Sequence, residues 1–291
     1  MKINGLISLP LITVAALLGV STFASAQTIL QSSGNFTLLG GTFISNTGAT
    51  TISGGNVGLY PAATTGITGF FAEDGGPAVI TPPGGIIPTG PVTQQAMADL
   101  KQAAMGLDGM PATTILSGQD LGGMTLLPGV YTFGVGAAAQ NGALTLNASG
   151  QNGAVWVFQI GTSLTTGLNA AVTVTNLGTN LGADDGIFWD VGTAVTFGQD
   201  NILAGNYLVG TSTTFSSGIT GQGRILAQAG ITLSGTSLSA QGNSWDNGLM
   251  YNNLGDIVPV PEPAAFLWLA PLGALGLAIW RRRDMAKSIV A

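Results

Sequence analysis

Thr196, Thr214 and Thr232 stand eighteen residues apart, each inside the same local phrase: Thr193-Ala-Val-Thr-Phe197, Thr211-Ser-Thr-Thr-Phe215 and Ala229-Gly-Ile-Thr-Leu233. Trp189, Tyr207 and Ile225 share a second position of this repeat, and Val191, Val209 and Ala227 a third. A chain that returns to the same side-chain types at a short fixed period is expected to wind into a coil, one turn per repeat, with equivalent residues stacked along the axis. Phe158-Gln-Ile160 followed by Thr162-Ser-Leu-Thr165 reads as an earlier turn. It lies 31 residues before Thr196, one period plus a thirteen-residue insertion in the Asn176 to Gly186 region.

Alternation along a strand assigns sides. Val195 and Phe197 point inward, and Thr165, Thr196, Thr214 and Thr232 point outward. The other outward position holds Ser163, Ala194, Ser212 and Gly230, all small, which predicts a flat face. Thr162, Thr193 and Thr211 open three of the four phrases, and Ala229 opens the fourth.

Composition removes most catalytic chemistry. The chain has 291 residues, 46 of them Gly, with no Cys and no His, and 7% charged. There can be no disulfide, no thiolate zinc site and no imidazole acting as acid or base. Between Gln27 and Val260 eleven acidic residues face two basic ones, Lys101 and Arg224, so nucleic acid is a poor partner. Asp184, Asp185, Asp190 and Asp200 form the one carboxylate group close in sequence, and with Arg224 they are the residues on which a polysaccharide-cleaving activity would have to rest. Solvated loop carboxylates explain them more simply, and the group lacks a regular acidic calcium loop. The chain is therefore read as a non-enzyme without cofactor or metal.

The two ends carry address labels. Lys2, an apolar run from Leu6 to Val20 and Ala24-Ser-Ala26 fit a secretory signal over residues 1–26, cut by signal peptidase. At the other end Pro261, Glu262 and Pro263 precede seventeen largely apolar residues, 264–280, and then Arg281, Arg282 and Arg283. Seventeen residues at about 1.5 Å rise would just span a bilayer core, with the arginines on the cytoplasmic side. Segment 257–291 resembles the PEP-CTERM sorting signal. That resemblance implies processing by an exosortase in a Gram-negative, exopolysaccharide-producing bacterium, and a body exported to the cell surface or beyond.

Between the labels, over 27–256, short runs of Thr, Val, Ile and Leu broken by Gly, Asn and Ser read as strands and turns. Residues 91–107 differ. Val92, Ala96, Leu100, Ala103, Ala104 and Leu107 recur at helical spacing behind Pro91, predicting one amphipathic helix whose docking surface would be the outward Leu208 and Leu226. The Pro- and Gly-rich segment 73–90 reads as a loop leading to it.

Several phrases are similar to a known family. Asn46-Thr-Gly-Ala-Thr-Thr-Ile-Ser-Gly54, Thr65-Gly-Ile-Thr-Gly-Phe70, Gly122-Gly-Met-Thr-Leu-Leu-Pro-Gly-Val-Tyr131, Gly142-Ala-Leu-Thr-Leu146, Ala154-Val-Trp-Val-Phe-Gln-Ile160 and Gly223-Arg-Ile-Leu-Ala227 occur in the order found in the DUF3494, or type-1, ice-binding proteins. The resemblance runs over about residues 30 to 240. It implies an all-β-dominated, discontinuous right-handed β-solenoid of triangular section, its first coils packed beside the last and one long α-helix alongside. It also implies a flat ice-binding face of Thr-Ala/Gly-x-Thr/Asn steps. Thr193-Ala-Val-Thr196 matches such a step literally, Thr162-Ser-Leu-Thr165 and Thr211-Ser-Thr-Thr214 nearly, and Ala229-Gly-Ile-Thr232 lacks the first threonine. The expected partner is an ice surface, engaged by one imperfect ladder. The alternative is a structural or adhesive protein of an exopolysaccharide matrix, for which Trp245 and Tyr251 would be the sugar-facing aromatics, with Trp156 in the core.

Overall fold

The computed structural model describes residues 28–242 and 244–260. The leader 1–26, Pro261, Glu262 and Pro263, the apolar run 264–280 and Arg281, Arg282 and Arg283 lie outside the described residues. No helix among those described is long and apolar enough to cross a membrane.

Each turn of the coil gives one strand to each of three parallel faces. In one turn the chain runs through Gly186–Val191, then Val195–Phe197, then the first residues of Ile202–Val209. That last strand bends at Gly205, whose φ of 105° suits only glycine, and continues as the next turn of the first face. Ile202 pairs with Ala171 on one face, while Asn206 to Val209 pair with Phe188 to Val191 on another. Trp189, Tyr207 and Ile225, and likewise Val191, Val209 and Ala227, are direct neighbours in this register.

Sequence order breaks once. Phe36–Gly40 pairs with Ile219–Ala227, and Phe43–Asn46 with Gly230–Leu233, so the N-terminal coils stack beyond the last coil. Segment 73–90, expected to be a loop, contributes Val79–Ile80 beside Thr51–Ser53 and Ile86–Ile87 beside Asn56–Leu59. Two-residue strands are too short for alternation to reveal them. They end two of the faces with short edges flanked by prolines, a poor template for further pairing.

Aromatic side chains fill the interior. Tyr131, Phe158, Trp189 and Tyr207 stack in successive coils with centroid separations of 5.6, 3.9 and 5.3 Å, and Trp189 Nε1 donates to Ala204 O at 3.1 Å. Aromatic pairs contribute about 0.5–1.5 kcal/mol beyond the area they bury, so the stack stiffens as well as fills.

The one long helix, Pro91–Asp108, starts with proline at its first turn, and Thr93 Oγ1 accepts from Gly90 N at 3.0 Å. Ala96, Leu100, Ala103 and Leu107 are buried against Leu39, Val157, Phe188, Leu208 and Leu226 on the outside of the first face. Leu208 and Leu226 are the residues whose outward position called for a partner. At the helix end Gln159 Nε2 donates to Leu107 O and Met110 O, both at 2.7 Å, tying the sheet to the last turn of the helix and the turn that follows it.

Beside that cap, Asp108 and Asp190 share a cleft of about 530 Å³ between helix and sheet. Burial, and after it the charge of Asp108, push the Asp190 carboxyl up to about 7 from 3.8. The folded state thus holds a proton that the unfolded chain releases near pH 4. The stability this confers is complete below that pH and is lost as pH rises through about 7. Wild-type stability should fall by roughly 2–4 kcal/mol between pH 4 and pH 8 on this account, and Asp190→Asn should remove most of the fall. Urea midpoints at pH 4 and pH 8 check this; parallel pH dependence in the two proteins would refute it. Thr213 supplies a second test, because its Oγ1 is buried without a hydrogen-bond partner in a row whose neighbours are Val195 and Ile231. Thr213→Val is expected to stabilise by about 1–2 kcal/mol, seen as a rise of a few degrees in thermal midpoint.

Candidate functional site

The second face is a seven-stranded parallel sheet that carries the threonine phrases. Its central outward position reads, in direct register, Ala139, Thr165, Thr196, Thr214, Thr232, Ser45 and Thr68. Thr165, Thr196, Thr214 and Thr68 are exposed, and Thr232 and Ser45 are half-buried. With strands about 4.8 Å apart, the seven positions extend roughly 29 Å along the coil axis. Leu164, Val195, Phe197, Phe215, Ile231 and Leu233 lie on the inner side and are buried.

A second row follows the turn into each strand. The backbone N–H of Thr193 donates to Thr162 O at 2.8 Å, that of Thr211 to Thr193 O at 2.7 Å, and that of Ala229 to Thr211 O at 2.7 Å. Thr162, Thr193 and Thr211 therefore stack, and Ala229 leaves the expected gap. Glycine lets the turns approach this closely: a Cβ at Gly192 would sit 2.4 Å from Gly161 O, and one at Gly210 2.1 Å from Gly192 O.

Between these rows lie Ser163, Ala194, Ser212 and Gly230, the small residues that predicted flatness. The prediction stops at the chain break. Phe43 occupies the next position in this row, opposite Gly230, and is 42% exposed. Its ring covers Gly230 so closely that a Cβ there would lie 2.3 Å from Phe43 Cζ. The row of small residues is uninterrupted over the three coils of Ser163, Ala194 and Ser212, and the Phe43 ring overlies it at Gly230, where the N-terminal coil joins. Beyond Phe43, Ser45 and Thr68 prolong the central ladder. Their signal was present in the sequence, since Thr65-Gly-Ile-Thr68 has the same form as Thr193-Ala-Val-Thr196.

The other candidate groups do not converge. Asp184 Oδ1 accepts from Gly153 N and Asp185 Oδ1 from Ala154 N, both at 2.8 Å, where the third face turns into the first. Asp190 is at the far end of the same strand, about 16 Å away at strand rise, and Asp200 is on the turn leaving the threonine sheet. The apparent carboxylate group is thus spread over three corners of one coil. Arg224 is 6% exposed and fully engaged: Nε donates to Gly34 O at 2.8 Å, Nη1 to Asn206 Oδ1 at 3.1 Å, and Nη2 pairs with Asp246 at 3.1 Å. Trp156 and Trp245 are buried in the core, and Tyr251 is half-buried among the residues packed around the helix. Among the described residues no group of three or more acidic side chains could hold a metal ion.

The ice-binding-like family model matches residues 38–239. An ice-binding protein of Nostoc sp. (strain HG1) is 33% identical over 282 residues, covering 94% of this chain and 96% of that protein. An ice-binding protein of Colwellia sp. is 28% identical, covering 72% of this chain and 83% of its own length. Among solved structures, the ice-binding protein of the Antarctic ascomycete Antarctomyces psychrotrophicus is similar over 75% of this chain and all of that one, with a TM-score of 0.65 and 31% identity. An ice-binding protein from an Antarctic biological consortium gives 0.64 and 30% identity over 74% of this chain and 93% of its own.

Proposed function

We propose that this chain, which belongs to the ice-binding-like family, binds ice through the threonine sheet. The observation that carries the reading is the uninterrupted register of small and hydroxyl side chains from Ala139 through Thr165, Thr196, Thr214 and Thr232 to Ser45 and Thr68. An ice surface offers no pocket to fill. Affinity has to come from many weak contacts held at fixed spacing, each net hydrogen bond contributing about 0.5–1.5 kcal/mol. A threonine places a methyl against nearby water and a hydroxyl within it, and its branched Cβ holds χ1 stiff, so little order is lost on adsorption. None of the ladder residues is charged, so no strongly held hydration shell has to be removed.

Sequence supports a finer reading. Residues 1–26 act as the export signal, 27–256 form the ice-binding body, and 257–291 carry the sorting signal, with signal peptidase and an exosortase as processing enzymes. Thr162, Ser163, Thr165, Thr193, Ala194, Thr196, Thr211, Ser212, Thr214 and Thr232 form the contact face. Adsorbed molecules force ice to grow as curved fronts between them, which slows recrystallisation.

Thr214→Tyr tests the face, because a ring in mid-ladder would hold neighbouring hydroxyls off a flat lattice. The variant is expected to need at least tenfold more protein to suppress ice recrystallisation, with unchanged circular dichroism. Ser237→Tyr, on the exposed side of the third face, should leave the activity as it is. Loss of activity in Ser237→Tyr alone would move the site to that face. A wild-type protein inert toward ice that instead binds exopolysaccharide would establish the matrix reading.

A further inference from the structure

We propose, resting on the reading that the threonine sheet binds ice, that Phe43 sets the end of the contact face and that the two coils beyond it carry a continuation which its ring keeps out of contact. Thr42-Phe-Ile-Ser45 and Thr65-Gly-Ile-Thr68 have the form of Thr193-Ala-Val-Thr196, except that a phenylalanine stands in the first where Ser163, Ala194, Ser212, Gly230 and Gly66 are all small.

Both steps lie in line with the others. Thr42 N donates to Ala229 O at 3.1 Å, as Ala229 N does to Thr211 O, so Thr42 resumes the turn row after its lapse. Ile44 and Ser45 pair with Ile67 and Thr68, which sets Gly66 beside Phe43; a Cβ on Gly66 would lie 3.8 Å from Phe43 Cα. Thr42, Thr65 and Thr68 are exposed. Turn row, small row and central row therefore all extend past the chain break, and one side chain interrupts them.

That side chain reaches across the join. The three atoms nearest to a Cβ built on Gly230 are Cζ, Cε1 and Cε2 of Phe43, at 2.3, 2.4 and 2.9 Å, so the far edge of the ring lies over the neighbouring coil. Gly230 is buried beneath it, while Ser163, Ala194 and Ser212 in the same row are half-buried. In the central row Thr165, Thr196, Thr214 and Thr68 are exposed; the half-buried members, Thr232 and Ser45, sit on the two coils that the ring joins. An aromatic edge offers water neither a hydroxyl nor a small step, so the regular spacing of weak contacts stops there. Gly230 does not adopt a left-handed φ, so once the ring is removed an alanine methyl can take the place of its edge and complete the small row.

Ice recrystallisation inhibition by the full chain tests this with Phe43→Ala, Phe43→Ala combined with Gly230→Ala, Thr68→Tyr, and Phe43→Ala combined with Thr68→Tyr. The first two are expected to act at about one third of the wild-type concentration, because weak contacts added in register multiply retention, with unchanged circular dichroism. Thr68→Tyr should leave the wild-type activity as it is, since that coil is out of contact, and should cancel the gain made by Phe43→Ala. An active wild type with equal or weaker activity in both folded Phe43 variants would overturn the proposal and leave the ice reading standing. Loss of activity in Thr68→Tyr alone would overturn it as well, and that measurement holds even if the Phe43 variants fold poorly. If the wild type and every variant are inert toward ice, the ice reading falls and takes this limit of the face with it.

Discussion

Register between successive coils is the constraint on which everything else in this molecule depends. A slip of one residue along any pair of parallel strands would exchange inside and outside for the whole strand. At the threonine sheet it would bring Phe197 and Phe215 to the surface, at about 2 kcal/mol each, and bury Thr196 and Thr214 hydroxyls without partners, at about 1–3 kcal/mol each. The interior therefore sets the register, and the threonines receive it. This separation matters for function: the inner row holds the coils in step, which leaves the outer row free to carry whatever the surface requires.

Stacking is easy to maintain between coils that are consecutive in sequence, and harder where they are not. Leu39 pairs with Leu226, residues separated by most of the body, so closing that contact carries the entropy of a long loop. Buried polar interactions concentrate at this junction. Arg224 joins the N-terminal coil at Gly34, its own neighbour Asn206 and the C-terminal run at Asp246. Asp99, buried on the helix, accepts from Ser32 N at 3.0 Å and from Gln95 Nε2 at 2.8 Å, linking the helix to the segment ahead of the first strand. The few charges of this sequence are spent partly on joining distant segments, and the ladder of the threonine sheet is left without any.

What was legible in the sequence is local, and what was hidden is not. The eighteen-residue spacing, the alternation of Val195, Thr196 and Phe197, and the helix that meets Leu208 and Leu226 all follow from neighbours a few residues or one turn apart. Phe43 could not be placed that way, because its position opposite Gly230 depends on where the N-terminal coil inserts. Ser45 and Thr68 joined the ladder for the same reason, although Thr65-Gly-Ile-Thr68 already had the form of a step. The carboxylates are the converse case: they read as solvated loop groups, yet Asp185 is fully buried, and although it is close to Asp190 in sequence an extended strand puts the two at opposite corners, while Asp108 meets Asp190 across the helix interface from far away in the chain.

A surface proposed to match a lattice must not relax, and on that reading part of the site lies beneath it. Phe197 lies under the ladder with its ring 4.8 Å from Phe215 and perpendicular to Tyr207 at 5.1 Å. Those contacts fix the backbone carrying Thr196 and Thr214 more firmly than the threonines fix one another, since the outward hydroxyls stand in solvent. Glycine turns draw the coils together on one side, and aromatic packing resists their sliding on the other. The spacing of the outer row is then that of the backbone ladder, about 4.8 Å, and side-chain freedom adds little to it. Where this support changes, so does the surface: Ser45 lacks the methyl, Ala139 lacks the hydroxyl, and Phe43 rises beside Gly230. Over the four coils from Thr165 to Thr232 interior and ladder agree, while the turn row lapses at Ala229, and it is on these coils that the ice contact proposed above rests.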